Sequence, residues 1–280
     1  MPAPRAAICA IAKNERSYLH EWVAYHRLIG FEDILVFDNE SDDDSAAVLD
    51  YMQTCGLVES APLSVAASVK PQWVAYEAGL ERLRGRCDWV AFIDLDEFIH
   101  LPRHHSIGSF LEEFSALDAL AVNWKMFGSA GQVERGPGLV IERFTRCAPQ
   151  RFHGNRSIKT LARPDAIETP LVHTCEFRKG VRYQTVTGEV IPPGNGASQT
   201  VTHDTIRIHH YFTKSAEEWR AKMLRGRGDK PDGDPRKARA ASEFASNDRN
   251  EEEDSALRGY SGSVRRIMGS PPLDRILTPA

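Results

Sequence analysis

Three short, wholly apolar runs in the first hundred residues constrain this chain more than any other feature. Ala7-Ile8-Cys9-Ala10-Ile11, Ile34-Leu35-Val36-Phe37 and Trp89-Val90-Ala91-Phe92-Ile93 interrupt otherwise mixed sequence. A strand that is apolar at every position is buried on both faces, the condition of a parallel sheet with helices above and below. Amphipathic stretches lie between the runs. Leu19, Trp22, Val23, His26 and Ile29 form a helical stripe over Ser17 to Ile29, with Gly30 where a cap belongs. A second helix is predicted from about Asp43 to Cys55, closed by Gly56. A third runs from Gln72 to Leu83 through Trp73, Tyr76 and Leu80. Strand and helix alternate over residues 1–100, so the fold class is α/β.

The rhythm changes after Gly128. Leu139 to Phe144, Ser157 to Ala162, Leu171 to Phe177 and Val181 to Thr187 read as short strands between Gly/Pro turns, and Ile206 to Tyr211 as one more. A helix is predicted near Ser215, where Glu218 completes a capping box. Residues 1–226 therefore read as one domain, with a first half (1–100) and a second half (101–226) of different rhythm. From 227 to 254 there are six Lys/Arg and nine Asp/Glu around a single large apolar residue, Phe244. So little apolar surface marks 227–280 as a polar flexible flap or tail.

Composition excludes several classes. At 280 residues, 41% hydrophobic and 26% charged, the chain is long enough for a substantial core and too apolar to be disordered. A net charge of −4 offers no general attraction to nucleic acid. The five cysteines are scattered with no C-x-x-C pair, which reads as reduced thiols rather than zinc ligands or a disulfide framework. The apolar run Ala6 to Ala12 is far short of the ~20 residues a bilayer crossing needs. The expectation is a cytoplasmic protein with at most peripheral membrane contact.

Chemistry concentrates where the apolar runs stop. Trp89 to Ile93 leads directly into Asp94-Leu95-Asp96-Glu97-Phe98, delivering three acids to the carboxyl end of a buried strand. Open α/β sheets bind ligands at that edge. Two carboxylates two residues apart suit a hard divalent cation carrying a nucleoside diphosphate, because Mg²⁺ and Mn²⁺ take one or two carboxylates plus substrate phosphates. The preceding strand ends in Asp38-Asn39-Glu40-Ser41-Asp42-Asp43-Asp44. Asp38 is placed to accept from a base or ribose, whereas Ser41 and Asp42 equally suit turn and capping roles. Asn14 and Glu15 follow the first strand, where they either hydrogen-bond the nucleoside or cap the next helix.

Taken in order, these residues resemble glycosyltransferases related to families 2 and 92. The resemblance is carried by Lys13-Asn14-Glu15, Glu21-Trp22, Gly30-Phe31 and Asp38-Asn39-x-Ser41-x-Asp43. It continues through Gln72-x-x-Ala75-Tyr76, Asp94-x-Asp96-Glu97-Phe98, Trp124-x-x-Phe127-Gly128-Ser129 and Glu142-Arg143-Phe144-Thr145. It ends with His210-Tyr211-x-x-Lys214-Ser215-x-x-Glu218-x-x-x-Lys222. It implies a GT-A fold with a mixed central sheet, and transfer of a sugar from a nucleotide-sugar donor, usually UDP-linked, to a glycan or glycolipid hydroxyl. It further implies that Asp38 reads the base, that Asp94 sits near ribose or metal, and that Asp96 binds the metal. His210 would complete the metal shell. An imidazole ligand favours Mn²⁺ over Mg²⁺. His209 and His210 fall on opposite faces of a strand, so no more than one of the two is a ligand, and a packed or hydrogen-bonded strand histidine is the alternative for each.

Several roles stay open at this level. Gln72 lies within reach of the diphosphate. Lys214, Lys222, Arg225 and Arg227 either neutralise the leaving group or line a solvated helix face. Trp124 and Phe127 either stack on an acceptor sugar or belong to the core. An inverting transfer needs a base on the acceptor side, for which Glu142, Glu176 and Glu134 are the candidates. A catalytically silent nucleotide-sugar-binding protein is the alternative. A D-x-D phosphatase fits less well, since Phe98 stands where that family has threonine and two strand–helix units come first.

Overall fold

The computed structural model describes residues 3–269 of the 280. The first half builds β1 (Ala6–Ala12), α1 (Arg16–Leu28), β2 (Asp33–Asp38), α2 (Ser45–Thr54), β3 (Glu59–Pro62), α3 (Pro71–Leu83) and β4 (Trp89–Phe92). Then come β5 (Glu97–His100), α4 (Ile107–Glu113), β6 (Ala119–Met126), α5 (Val140–Arg143) and β7 (Arg146–Cys147). Four short strands follow: β8 (Ile158–Ala162), β9 (Ile167–Pro170), β10 (Cys175–Phe177) and β11 (Tyr183–Thr185). The chain closes with β12 (Arg207–His210), α6 (Ala216–Arg225), α7 (Ala241–Asn247), β13 (Glu252–Glu253) and α8 (Ser261–Met268).

The central sheet runs β3-β2-β1-β4-β8-β6-β12-β5, with β11 added beside β6. The contacts among β1 to β4 are parallel. β8 is antiparallel to both β4 and β6, so the sheet turns mixed there. It has the layout the GT-A resemblance implies, a Rossmann-like half continued by a mixed half. β1 shows why its strands had to be apolar throughout. Ala6, Ile8, Ala10 and Ala12 enter the core beneath α1 and α2, whereas Ala7 and Cys9 enter the one beneath α3. α1 is further tied to β5 by Trp22 Nε1, which donates to Glu97 O at 2.8 Å, and by Tyr25 Oη, which donates to Ile99 O at 2.7 Å.

The structure corrects three sequence readings in the second half. Leu139 to Phe144 is a helical turn rather than a strand, because the buried carboxylate of Glu21 accepts from Val140 N at 2.7 Å and Ile141 N at 3.0 Å. Those are amides that the start of a helical turn leaves free. Within Leu171 to Phe177 only Cys175–Phe177 is a strand. The longest strand of the sheet, β6, was not anticipated, since Asn123, Trp124 and Lys125 break its apolar run. The segment set apart as 227–280 packs on the domain through 269, and residues 270–280 lie outside those described. Asp232 N donates to Ala67 O at 2.7 Å, β13 pairs with β7, and Asp254 accepts from Lys125 at 2.7 Å and Arg207 at 2.8 Å. Its apolar anchors, Leu257 and Val264, come beyond the charged stretch and are buried.

α3 crosses β1 closely because Gly79 has no side chain; a Cβ there would collide with Cys9 Sγ. We expect Gly79→Ala to destabilise the fold by ~1–3 kcal/mol through overpacking, read as a lower urea midpoint with unchanged slope.

Candidate functional site

A cavity of about 370 Å³ opens at the carboxyl ends of β1, β2 and β4. The acid motif forms its floor. Asp94 Oδ1 accepts from Gln72 Nε2 at 2.8 Å and from Tyr76 Oη at 3.3 Å, while Oδ2 accepts from Lys159 Nζ at 2.9 Å. Burial by itself would raise the Asp94 carboxyl, but the Lys159 ammonium outweighs it and the group titrates below its ordinary value. Glu97 is fully buried, accepts from Asp94 N at 3.0 Å and lies 3.6 Å from Lys159. Burial dominates there and holds it well above the carboxylate range, against the opposing pull of Lys159.

Asp96 points the other way. Lys222 Nζ donates to Asp96 Oδ2 at 2.5 Å and to Phe212 O at 2.7 Å, and His210 Nε2 stands 3.5 Å from Asp96 Oδ1. Against the cost of burial, Lys222 and His210 hold Asp96 well below the usual range. Lys222 itself is pulled down to about 7, first by burial and then by Arg239, Lys214 and Arg225, against the opposing pull of Asp96. Burial also lowers His210, leaving a neutral imidazole. Strand alternation sends His209 to the opposite face, stacked on Phe127 at 4.5 Å with Arg207 Nε donating to its Nε2 at 2.9 Å.

The structure assembles other predicted residues around this pair. Glu15 lines the cavity with Oε1 on Arg225 at 2.5 Å, while its buried Oε2 has no hydrogen-bond partner. Arg225 also donates to Lys13 O at 2.9 Å, tying the end of α6 to the loop after β1. Asn39 is in the lining; Asp38, beside it, is buried, accepts from Ser41 N at 3.2 Å and keeps Oδ1 without a partner. Asn14 takes the loop role. At φ 54° it bridges to Asp42, donating through Nδ2 at 2.7 Å, and lies outside the lining.

Neither carboxylate expected to act as base lies in the cavity wall. Glu142 caps Leu139 N and pairs with Arg265, and Glu176 is exposed on β10. Glu134 is exposed as well. Sequence reasoning missed Lys159, whose one signal was a lysine inside an apolar strand, and Arg239 and His173, which carried none.

No cluster of three or more His, Cys, Asp or Glu among the described residues is arranged to hold a metal ion alone. Asp96 Oδ1 and the neutral His210 Nε2 nevertheless fit a hard cation. Their 3.5 Å separation approaches the ~3 Å of adjacent ligands on an octahedral ion, and such an ion draws its remaining ligands from phosphate and water.

The profile of glycosyltransferase family 92 matches residues 7–227. The chain belongs to glycosyltransferase family 92. A family 92 protein of Oryza sativa subsp. japonica is 30% identical over 188 residues, covering 63% of this chain and 30% of its own length. One of Ricinus communis is 32% identical over 189 residues, covering 63% and 32%. This family 92 chain thus spans about a third of the length of those relatives. Among solved structures, S. aureus TarS 1–349 in complex with UDP-GlcNAc is 20% identical with a TM-score of 0.38, over 58% of this chain and 46% of that one. A Pyrobaculum calidifontis mannosyltransferase in complex with GDP-Man and Mn²⁺ is 16% identical with a TM-score of 0.34, over 43% and 35%.

Lys159→Met should cost ~3–5 kcal/mol, because it leaves the Asp94 charge without its buried counterion. Adding Asp94→Asn should restore part of that loss, which thermal unfolding of the single and double variants will measure.

Proposed function

We propose that this chain transfers a sugar from a UDP-sugar to a glycan or glycolipid hydroxyl, with inversion and with Mn²⁺ or Mg²⁺ bound at Asp96 and His210. The reading rests above all on the Asp94–Asp96 pair at the edge of a parallel sheet, facing a cavity lined by Lys222, Arg225, Arg227, Lys237 and Arg239. Such a wall suits a diphosphate. The Glu15 Oε2 that lacks a partner supports nucleoside binding, as an acceptor for a ribose hydroxyl. Asp38 Oδ1 is the candidate acceptor for the uracil N3–H.

When bound, the cation would neutralise charge on the departing diphosphate. The protein's own cations share that task. Lys222 is held on Asp96 by a single ion pair and a carbonyl, so it can turn to a phosphate oxygen without leaving the cavity. Asp94, fixed by Gln72, Tyr76 and Lys159, keeps the loop that carries Asp96 in place. Inversion belongs to the proposal through the resemblance to families 2 and 92. None of the five cysteines is in a disulfide, which is compatible with a reducing compartment such as the cytoplasm. No helix among the described residues is long and apolar enough to cross a membrane, and any contact with a glycolipid is proposed to be peripheral.

Calorimetry with UDP and GDP, each in Mn²⁺ or EDTA, tests the reading. Wild type should bind UDP in Mn²⁺ and lose at least tenfold in affinity in EDTA, in Asp96→Ala and in His210→Ala. Lys222→Met should weaken UDP by about tenfold even in EDTA, since its charge acts on the phosphates directly. Folded wild type that binds neither nucleotide would sink the donor assignment. Binding without hydrolysis of any UDP-sugar would instead favour a silent binding protein.

A further inference from the structure

Every carboxylate in the described cavity lining is ion-paired, and the one buried oxygen among them without a hydrogen-bond partner, Glu15 Oε2, is assigned to the nucleoside. Glu15 is paired with Arg225, Asp94 with Lys159, Asp96 with Lys222, Asp229 with Lys230 and Asp232 with Lys237. A carboxylate held by a cation at such range is a poor proton acceptor, because protonation must break the pair. Transfer to a hydroxyl nevertheless requires a base at the acceptor side. Two histidines remain in the described lining. His210 is turned toward Asp96, which leaves His173.

His173 sits in the turn between β9 and β10, closed by Leu171 N donating to Thr174 O at 2.9 Å. Two features fix its ring and one its backbone. Nδ1 donates to Ile158 O at 3.2 Å, Thr160 Oγ1 donates to the His173 carbonyl at 3.3 Å, and the Trp124 ring stands edge-on at 5.2 Å. Gly196 packs against it so closely that a Cβ there would lie 2.9 Å from His173 Cβ. With its proton committed to Nδ1, the ring keeps a lone pair on Nε2, and no described residue hydrogen-bonds that atom. Trp124 belongs to the same wall, and its buried Nε1–H lacks a partner.

We propose that His173 is the catalytic base: its Nε2 takes the proton of the acceptor hydroxyl, and Trp124 Nε1–H orients that hydroxyl by donating to its oxygen. This rests on the sugar-transfer reading above. The acceptor oxygen forms a bond to the anomeric carbon as the bond from that carbon to the diphosphate breaks, its electron pair leaving with the diphosphate. The hydroxyl proton passes to Nε2, and the imidazolium returns it to water. Burial, followed by the nearby Lys159 charge, lowers His173 to about 4, so the ring is neutral and receptive at pH 7. That strength equals the ordinary carboxylate's, the group such a transfer otherwise uses.

Hydrolysis of UDP-glucose, UDP-galactose and UDP-N-acetylglucosamine in Mn²⁺ provides the assay, with water as acceptor and UDP affinity followed in parallel by calorimetry. We expect His173→Gln and His173→Gly to lower kcat on the preferred donor by ~10²-fold or more while UDP affinity stays within about twofold. Added imidazole should restore part of the His173→Gly rate and none of the His173→Gln rate. Imidazole ¹⁵N shifts of the wild type should report the Nδ1–H tautomer. Hydrolysis within about threefold of wild type in both variants, with UDP binding intact, overturns the base and leaves the donor assignment standing. Parallel loss of rate and UDP affinity without imidazole rescue assigns His173 to structure and also overturns the base. Wild type that binds no UDP, or binds without hydrolysing any donor, removes the reading on which the base depends.

Discussion

The site hangs on one buried charge. The Lys159 ammonium is 1% exposed on β8, and a cation so placed persists only with anions beside it. Asp94 supplies the close one at 2.9 Å, and the Glu97 carboxyl lies 3.6 Å away. Because β8 is antiparallel to β4 and contacts it directly, the lysine meets the acids just where β4 ends. The Asp94–Glu97 turn is closed on itself by Glu97 N to Asp94 O at 3.1 Å and by Asp94 N to the Glu97 carboxyl. It therefore has one shape, and that shape turns Asp96 away from Lys159 toward the cavity. Tyr211 N donates to Asp96 O at 2.8 Å, bringing the end of β12 and its His210 alongside. The raised Glu97 carboxyl follows from the same geometry: it is fully buried and shares one lysine with Asp94.

The opposing wall is positioned by α6, which is anchored at both ends. At its start, Ser215 and Glu218 form a reciprocal cap, and Glu218 also accepts from Arg143 at 2.7 Å and Tyr18 at 2.7 Å. These contacts, with Arg143 outweighing burial, depress Glu218 to about 2. At its end Arg225 bonds Glu15 and the carbonyls after β1. Fixed at both ends, the helix has no freedom to withdraw Lys222, which is driven into a cavity already crowded with arginines. The charged segment after Gly226 pairs its charges within itself, Arg227 with Glu243, Lys230 with Asp229 and Lys237 with Asp232, while Asp232 N donates to Ala67 O and Gly228 O accepts from Gln72 N. Its hydrophobic anchorage, Leu257 and Val264, arrives some thirty residues later on the far side of the sheet.

Much of this was legible in the sequence, for a definable reason. The apolar runs of β1, β2 and β4 determine a doubly covered parallel sheet because no other environment hides both faces of such a strand. Once that sheet exists, whatever follows each run must emerge at its carboxyl edge, so Glu15, Asp94 and Asp96 come together from order alone, whereas at the second strand the lining takes Asn39 and the residue singled out, Asp38, is buried beside it. Ser215 and Glu218 announced α6 through the chemistry of exposed helix amides. Period 2 assigned His209 and His210 to opposite faces.

The tertiary structure decided what depends on pairs distant in sequence. Leu139 to Phe144 is as apolar as many strands, and only the carboxylate of Glu21, over a hundred residues earlier, makes it a helical turn. Glu142 and Glu176 looked available because their cationic and solvent surroundings are invisible in one dimension. Lys159 and His173 carry no local signature, since their protonation and orientation come from Asp94, Glu97, Ile158 and Trp124, which only the folded sheet gathers. Sequence by itself determined the sheet and the edge where chemistry collects, through burial patterns that are local. Which acids stay free, which bases stay neutral and which cations face the cavity depended on charge pairing, and that is settled by distances only the fold sets.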